Sequence, residues 1–236
     1  MRGRAFPPVM DYHLAPHLSF GFIGADAVVL DLMADRYFRL RGYAATLGSL
    51  ASAGAASCDA GSLADLVERQ LLLPGPGAVP RPAFAPRPAE SAIEHSCMPL
   101  RGGRQTIRVP VREVLTTRLF AGQWMRSGGL LRTVTRWRGQ RARRLQQALN
   151  RIPSQDAVRA IACSFAAGRR YFPAKRRCVP DSLALARCLW RRGADAQLYF
   201  GVRLEPFAAH CWVQADDLLL SDPIDSIAEF TPVFEL

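Results

Sequence analysis

Hydrophobic and polar positions along this chain change period several times, and each change predicts a different element. Residues 17–22, 27–32 and 36–40 are short apolar-rich runs separated by Gly24-Ala25-Asp26 and Ala34-Asp35. Runs of that length between turn-forming residues predict three strands in a meander. Across residues 42–53 the spacing becomes helical, with Tyr43, Leu47 and Leu50 on one side. Ser62 is expected to cap a second helix running through Gln70, with Asp65 in its first turn and Leu63, Leu66, Val67 and Leu71 facing inward. Strands followed by helices in so short a stretch imply a small winged-helix-like domain over residues 1–73.

Residues 74–100 hold seven prolines. Proline has no amide donor and a fixed φ, so this stretch reads as a partly extended linker. Residues 101–236 form the second predicted domain. Residues 111–125 fit a helix with Val114, Leu115, Leu119 and Phe120 on one side, and Gly128-Gly129 breaks it. Residues 136–150 form a basic amphipathic segment whose apolar contacts are Trp137, Leu145 and Leu149, and Ser154 can cap a further helix through Ala167. In residues 176–193, Val179, Leu183, Ala186 and Leu189-Trp190 recur at helical spacing, and Gly193 supplies a stop. Residues 196–202 read as a strand, and residues 209–214 alternate: His210, Trp212 and Gln214 on one face, Cys211 and Val213 on the other. The pattern as a whole is α+β.

Composition narrows the possibilities. The chain has 236 residues, 49% of them hydrophobic, enough for real cores. No apolar run approaches the ~20 residues needed to span a bilayer. The basic N-terminus lacks the apolar core of a secretory signal, so the expected location is cytoplasmic, without stable membrane insertion. Six cysteines are scattered without a C-x-x-C pair, which disfavours both a disulfide framework and structural zinc. Charge is uneven: residues 1–73 carry a net −1, whereas residues 101–177 carry nineteen Arg and Lys against Glu113 and Asp156, a net +17. The acidic balance of the first domain argues against a DNA-binding role there, since phosphate contacts need Lys and Arg. The basic stretch reads as solvated helix faces, with no single arginine standing out.

Chemistry concentrates near the C-terminus. The helix predicted after Arg176-Arg177 has Pro180 and Asp181 in its first turn, which places Cys178 at its N-terminus. Unpaired amides and the positive end of the helix dipole attract the negative charge of a thiolate there. Cys188, in mid-helix, lacks that setting. A three-residue loop over Ala215, Asp216 and Asp217 pairs Gln214 with Leu218 and opposes His210 to Asp222. A two-residue turn instead opposes His210 to Pro223. Directly opposed residues share a face, with Cβ atoms about 5 Å apart. Cys178, His210 and Asp222 then form a nucleophile, base and orienting carboxylate, and no metal or other cofactor is called for. The alternative is a core cysteine and an ordinary strand histidine. Zinc on Cys178, His210 and Cys211 is disfavoured because His210 and Cys211 point to opposite faces of one strand.

The run R-C-V-P-D-S-L-A-L-A-R-C-L-W-R-R-G, then F-A-A-H-C-W-V-Q, then L-L-S-D-P resembles the leader peptidase (B protein) of lasso peptide biosynthesis, a papain-like or transglutaminase-like cysteine peptidase. Members pair a cysteine helix, an A-H-A-W-V-E-like strand and a downstream aspartate; here Cys211 and Gln214 depart from that pattern. The order of elements in the first domain is similar to the winged-helix recognition element fused to this peptidase in some members. The resemblance implies that Cys178, His210 and Asp222 are catalytic. It also implies that the strand Arg36, Tyr37, Phe38, Arg39 and Leu40 binds the leader of a precursor peptide. The implied partner is an ATP-dependent, asparagine-synthetase-like cyclase, with no nucleic acid. The residues by themselves leave open a transglutaminase-type acyl transferase, and a non-enzymatic protein that binds nucleic acid or an acidic partner through its arginines.

Overall fold

The computed structural model describes residues 11–93, 108–147 and 153–236, and the chain divides into two units, Met1–Phe84 and Ala85–Leu236. In the first unit, short runs rich in aromatic and branched apolar residues form β1 (Tyr12–Leu14), β2 (Leu18–Ile23), β3 (Asp26–Asp31) and β4 (Arg36–Leu40). Strands β2, β3 and β4 make an antiparallel meander in that order. Asp31 shapes the second turn, its carboxylate accepting from the amides of Met33 and Ala34. Asp26 fixes the exit of β4, accepting from the Gly42 amide and Arg39, and those bonds hold its carboxyl below the usual range. Two helices follow, α1 (Ala44–Ala53) and α2 (Ala60–Glu68), and β5 (Leu72–Pro74) returns to pair with β1. Phe20, Val29, Leu40, Leu47, Leu50, Leu66 and Leu72 form the shared core.

The cap of α2 differs from expectation. Asp59 occupies it, its carboxylate accepting from the Ser62 amide at 2.7 Å, so Ser62 lies inside the first turn. An N-cap side chain accepts from the amide two or three residues on, so capping by Asp59 starts the helix before Ser62 is reached.

The second unit begins with β6 (Glu90–Ser91), a short edge strand from the proline-rich stretch, whose amides at Ala89 and Ala92 donate to Asp217 and Leu219. Three helices follow: α3 (Val111–Gln147), α4 (Gln155–Arg169) and α5 (Cys178–Trp190). Ser154 caps α4 by accepting from Ala157. Gly129, at φ 68° and ψ 179°, interrupts α3, a conformation open to glycine and strained for other residues. Strands β7 (Gln197–Leu204), β8 (Phe207–Ala215), β9 (Leu218–Leu219) and β10 (Thr231–Glu235) complete a sheet of order β10-β7-β8-β9-β6. α5 packs on β8 and β7, and α3 packs on α5. Trp137 and Trp190 meet at 5.7 Å between α3 and α5, both buried. The expected apolar face of residues 111–125 is only half right: Val114 is buried, while Leu119 and Phe120 are 59% and 52% exposed. The buried positions alongside Val114 are Thr117, Arg118 and Ala121. Leu149, expected to anchor the basic segment, lies outside the described residues.

Among the described residues, no helix is long and apolar enough to cross a membrane.

Candidate active site

Arg177, extended at φ −136° and ψ 121°, is the N-cap of α5, so Cys178 is the first helical residue. Its backbone N–H belongs to the set that a helix start leaves without an intrahelical acceptor. The cap has no side-chain bond from residue 177 itself. Asp181 supplies one from inside the helix, its Oδ2 accepting from the Arg177 amide at 3.0 Å. The same carboxylate accepts Arg169 Nε at 2.7 Å and also Arg118 Nε. Both arginines are only 5% exposed. Arg169 further donates to the carbonyls of Phe172, Ala174 and Lys175 at 3.3, 3.1 and 3.2 Å. The guanidinium carbons of Arg118 and Arg169 each lie 5.1 Å from the Phe172 ring centroid. A buried two-to-one charge cluster thus ties α3, α4 and the loop before Cys178 to the start of α5.

His210 sits on β8 opposite Gly201 of β7. An added Cβ at Gly201 would lie 2.5 Å from the Trp212 ring, so the glycine is what lets that indole settle against β7. Trp212 in turn stacks on the His210 ring at 6.4 Å with planes 19° apart, and Phe230 closes the other approach at 5.5 Å. His210 Nε2 is 3.1 Å from Asp222 Oδ1. With Nε2 engaged there, Nδ1 is the ring nitrogen left to meet a thiol, and Cys178 lines the same cavity as this ring. The bond to Asp222, and then the influence of Cys178, raises the imidazole pKa from 6.5 to about 9 against the opposing effect of burial. Asp222 is itself held: its Oδ2 accepts from the Ser221 hydroxyl and its carbonyl from Ser91 Oγ at 2.8 Å.

The route by which Asp222 reaches His210 corrects the three-residue loop. The ladder pairs Gln214 with Leu219 and Ala215 with Leu218, leaving a two-residue turn at Asp216-Asp217 with Asp216 at φ 51°. Continued regularly, that register opposes His210 to Pro223. The ladder stops instead: the Val213 amide is satisfied by Ser221 Oγ at 2.9 Å, a side-chain oxygen in place of a backbone carbonyl. The chain leaves the sheet there, and the Asp222 carboxylate swings to His210 from irregular backbone.

Cys178, His210 and Asp222 line one cavity of about 380 Å³, walled on its apolar side by Ala162, Phe165, Leu185 and Leu220. Such an arrangement can activate a thiol for attack on a carbonyl and return a proton to a leaving group. Cys188 and Cys211 are unsuited to this. Both are buried, burial pushes the Cys188 thiol up to about 11, and that of Cys211 is raised well above the ordinary value. Among the described residues, no group of three or more His, Cys, Asp and Glu side chains is placed to hold a metal ion. The five residues Arg36, Tyr37, Phe38, Arg39 and Leu40 form β4 in the first unit, whose neighbour in the meander is β3 alone. At the other edge of the meander, the Ala83 amide donates to the Phe20 carbonyl of β2. Composition had marked the arginines as solvated; the roles of Arg118 and Arg169 had no signal in spacing, although Asp181 in a first turn was readable.

Residues 126–235 match the family model of the transglutaminase-like superfamily, and this span contains Cys178, His210 and Asp222. Members of that superfamily are typically cysteine enzymes. No curated protein and no solved structure matches the chain.

Proposed function

We propose that this protein, which carries a transglutaminase-like domain over residues 126–235, is a cysteine endopeptidase that cuts the leader from a ribosomally made precursor peptide, as the lasso B proteins do. The observation that carries the reading is His210 bonded to Asp222 at 3.1 Å in a cavity that Cys178 also lines. In the reaction, His210 takes the thiol proton and the Cys178 thiolate attacks the scissile carbonyl carbon. The tetrahedral intermediate collapses as the imidazolium protonates the leaving amine, giving a thioester. Water, deprotonated by the same ring, then displaces the sulfur and releases the acid. Asp222 fixes the ring orientation and stabilises the imidazolium.

The first unit serves as the winged-helix-like recognition domain. Its strand β4 offers an edge to which an extended leader adds as a further strand, with side chains of Arg36, Tyr37, Phe38, Arg39 and Leu40 setting specificity. Holding the leader raises the effective concentration of the cleavage point at Cys178. The freed core passes to a partner ATP-dependent cyclase.

The test is incubation of the purified protein with a candidate precursor and mass-spectrometric analysis of products. Cleavage is expected for the wild type and none for Cys178→Ala, with a loss of about 10²–10⁴-fold for Asp222→Asn. Retained cleavage by Cys178→Ala would eliminate the thiol mechanism. The superfamily match also supports a second reading, transfer of the acyl group to an amine. Added cadaverine separates the two: a product that carries cadaverine in amide linkage as the main species favours the transferase.

A further inference from the structure

Cys178 is approached from two sides of different chemistry. One is the cavity it shares with His210. The other is a groove between the first half of α3 and residues 172–180, with Leu119, Met125, Phe172 and Val179 in its lining. Arg126, Lys175, Arg176 and Arg177 also line it, all exposed. No Asp or Glu lines the groove, and among the described residues none of these four cations has a carboxylate within 4.0 Å. The remaining cation there, Arg118, is committed to Asp181. Other arginines of this unit do have acid partners: Arg192 with Glu113, Arg141 with Asp195, Arg159 with Glu90 and Arg203 with Glu229.

Four like charges without counter-charge, over a partly apolar floor that ends on a nucleophile, make a field complementary to an anion. We infer that this groove receives an acidic side chain of the peptide substrate, on one flank of the bond that Cys178 attacks. The occupant is a peptide on the proposed peptidase reading, because a thiol acts on acyl groups. The groove also lacks a platform for bases: Phe172, the ring in its lining, already has Arg118 and Arg169 over it. Cys178 lines the groove itself, and an extended chain advances about 3.3 Å per residue. The acidic side chain therefore lies within the first few residues of the scissile bond.

The experiment uses the full chain as Cys178→Ala and fluorescein-labelled octapeptides of Gly, Ala and Ser carrying two Asp or, as the partner probe, two Asn. Fluorescence anisotropy should show the Asp peptide binding about tenfold more tightly, with the difference shrinking as salt rises. The double substitution Arg126→Glu with Lys175→Glu should reverse the preference towards a Lys-bearing peptide, and Arg126→Gln with Lys175→Gln should erase it. Arg136→Glu with Arg143→Glu, in a separate basic groove of α3, should leave it unchanged. In the wild type, the Asp peptide should slow alkylation of Cys178 by iodoacetamide, read by peptide mass. Equal affinity for Asp and Asn peptides overturns the inference, as does a preference that survives both Arg126/Lys175 variants. It also falls if a single-stranded oligonucleotide of equal charge binds more tightly through the same two residues. Cys178 alkylation indifferent to His210→Ala overturns the peptidase reading instead and leaves the anion preference standing.

Discussion

At His210 the raised pKa has two consequences that can be measured separately. In the proposed reaction the imidazolium protonates the leaving amine, so kcat/KM is expected to fall above an alkaline limb near pH 9. The Asp222 hydrogen bond is the largest cause of that shift, so Asp222→Asn should move the limb down towards 6.5 as well as lowering the rate. For stability, a raised pKa means that the protonated ring favours the folded state. Its contribution is complete below the unfolded value of 6.5 and is lost as pH rises through about 9. Denaturant midpoints of the wild type should therefore decline over that window by more than those of His210→Ala. Gly201 is the next residue outward. Gly201→Ala drives a methyl into the Trp212 ring and should cost roughly 1–3 kcal/mol, read by urea unfolding. The placement of Cys178 at a helix start and of His210 on a strand was legible in sequence, because both are local properties. The path of Asp222 to His210 was not, because it depends on Ser221 taking over one backbone hydrogen bond, which no periodicity encodes.

The element under most constraint is α5, whose start is held by Asp181 rather than by its own N-cap side chain. Asp181→Ala leaves Arg118 and Arg169 charged and buried without their carboxylate, which should cost about 3–5 kcal/mol in chemical denaturation. Because the same carboxylate binds the Arg177 amide, the variant should also slow Cys178 alkylation under conditions where it remains folded. Asp181→Glu should retain more of that reactivity than Asp181→Ala. Helices and strands of this unit follow the apolar periodicity closely at α4, α5 and β8. The reading fails on α3, where Leu119 and Phe120 face outward and Arg118 inward. A helical face is chosen by what lies opposite, and here the opposite wall contains a carboxylate that repays an arginine. The cap of α2 shows the same limit on a smaller scale: Asp59 and Ser62 both suit an N-cap, and the helix starts at the earlier of the two, Asp59.

On the scale of the whole molecule, the proposed function assigns recognition and chemistry to different units. Every residue assigned to bond cleavage belongs to Ala85–Leu236, and the proposed leader edge belongs to Met1–Phe84. Deleting residues 1–84 should leave the rate of Cys178 alkylation within about twofold of the full chain, while binding of a leader peptide disappears; persistent leader binding in the deletion sinks the recognition role. The boundary between the units, after Phe84, falls inside the proline-rich residues 74–100, where proline disfavours a helix or inner strand.

The first half of α3 stands apart in one respect. The span that matches the superfamily begins at residue 126, yet Arg118, Leu119 and Met125 before it supply part of one wall of the groove at Cys178. Cys178, His210 and Asp222 thus all lie inside the matched span, while part of one wall of the proposed substrate groove lies before it. On the proposed reading, substitutions in residues 111–125 should alter which peptides are bound while leaving Cys178, His210 and Asp222 in place, provided that position 118 keeps its tether to Asp181.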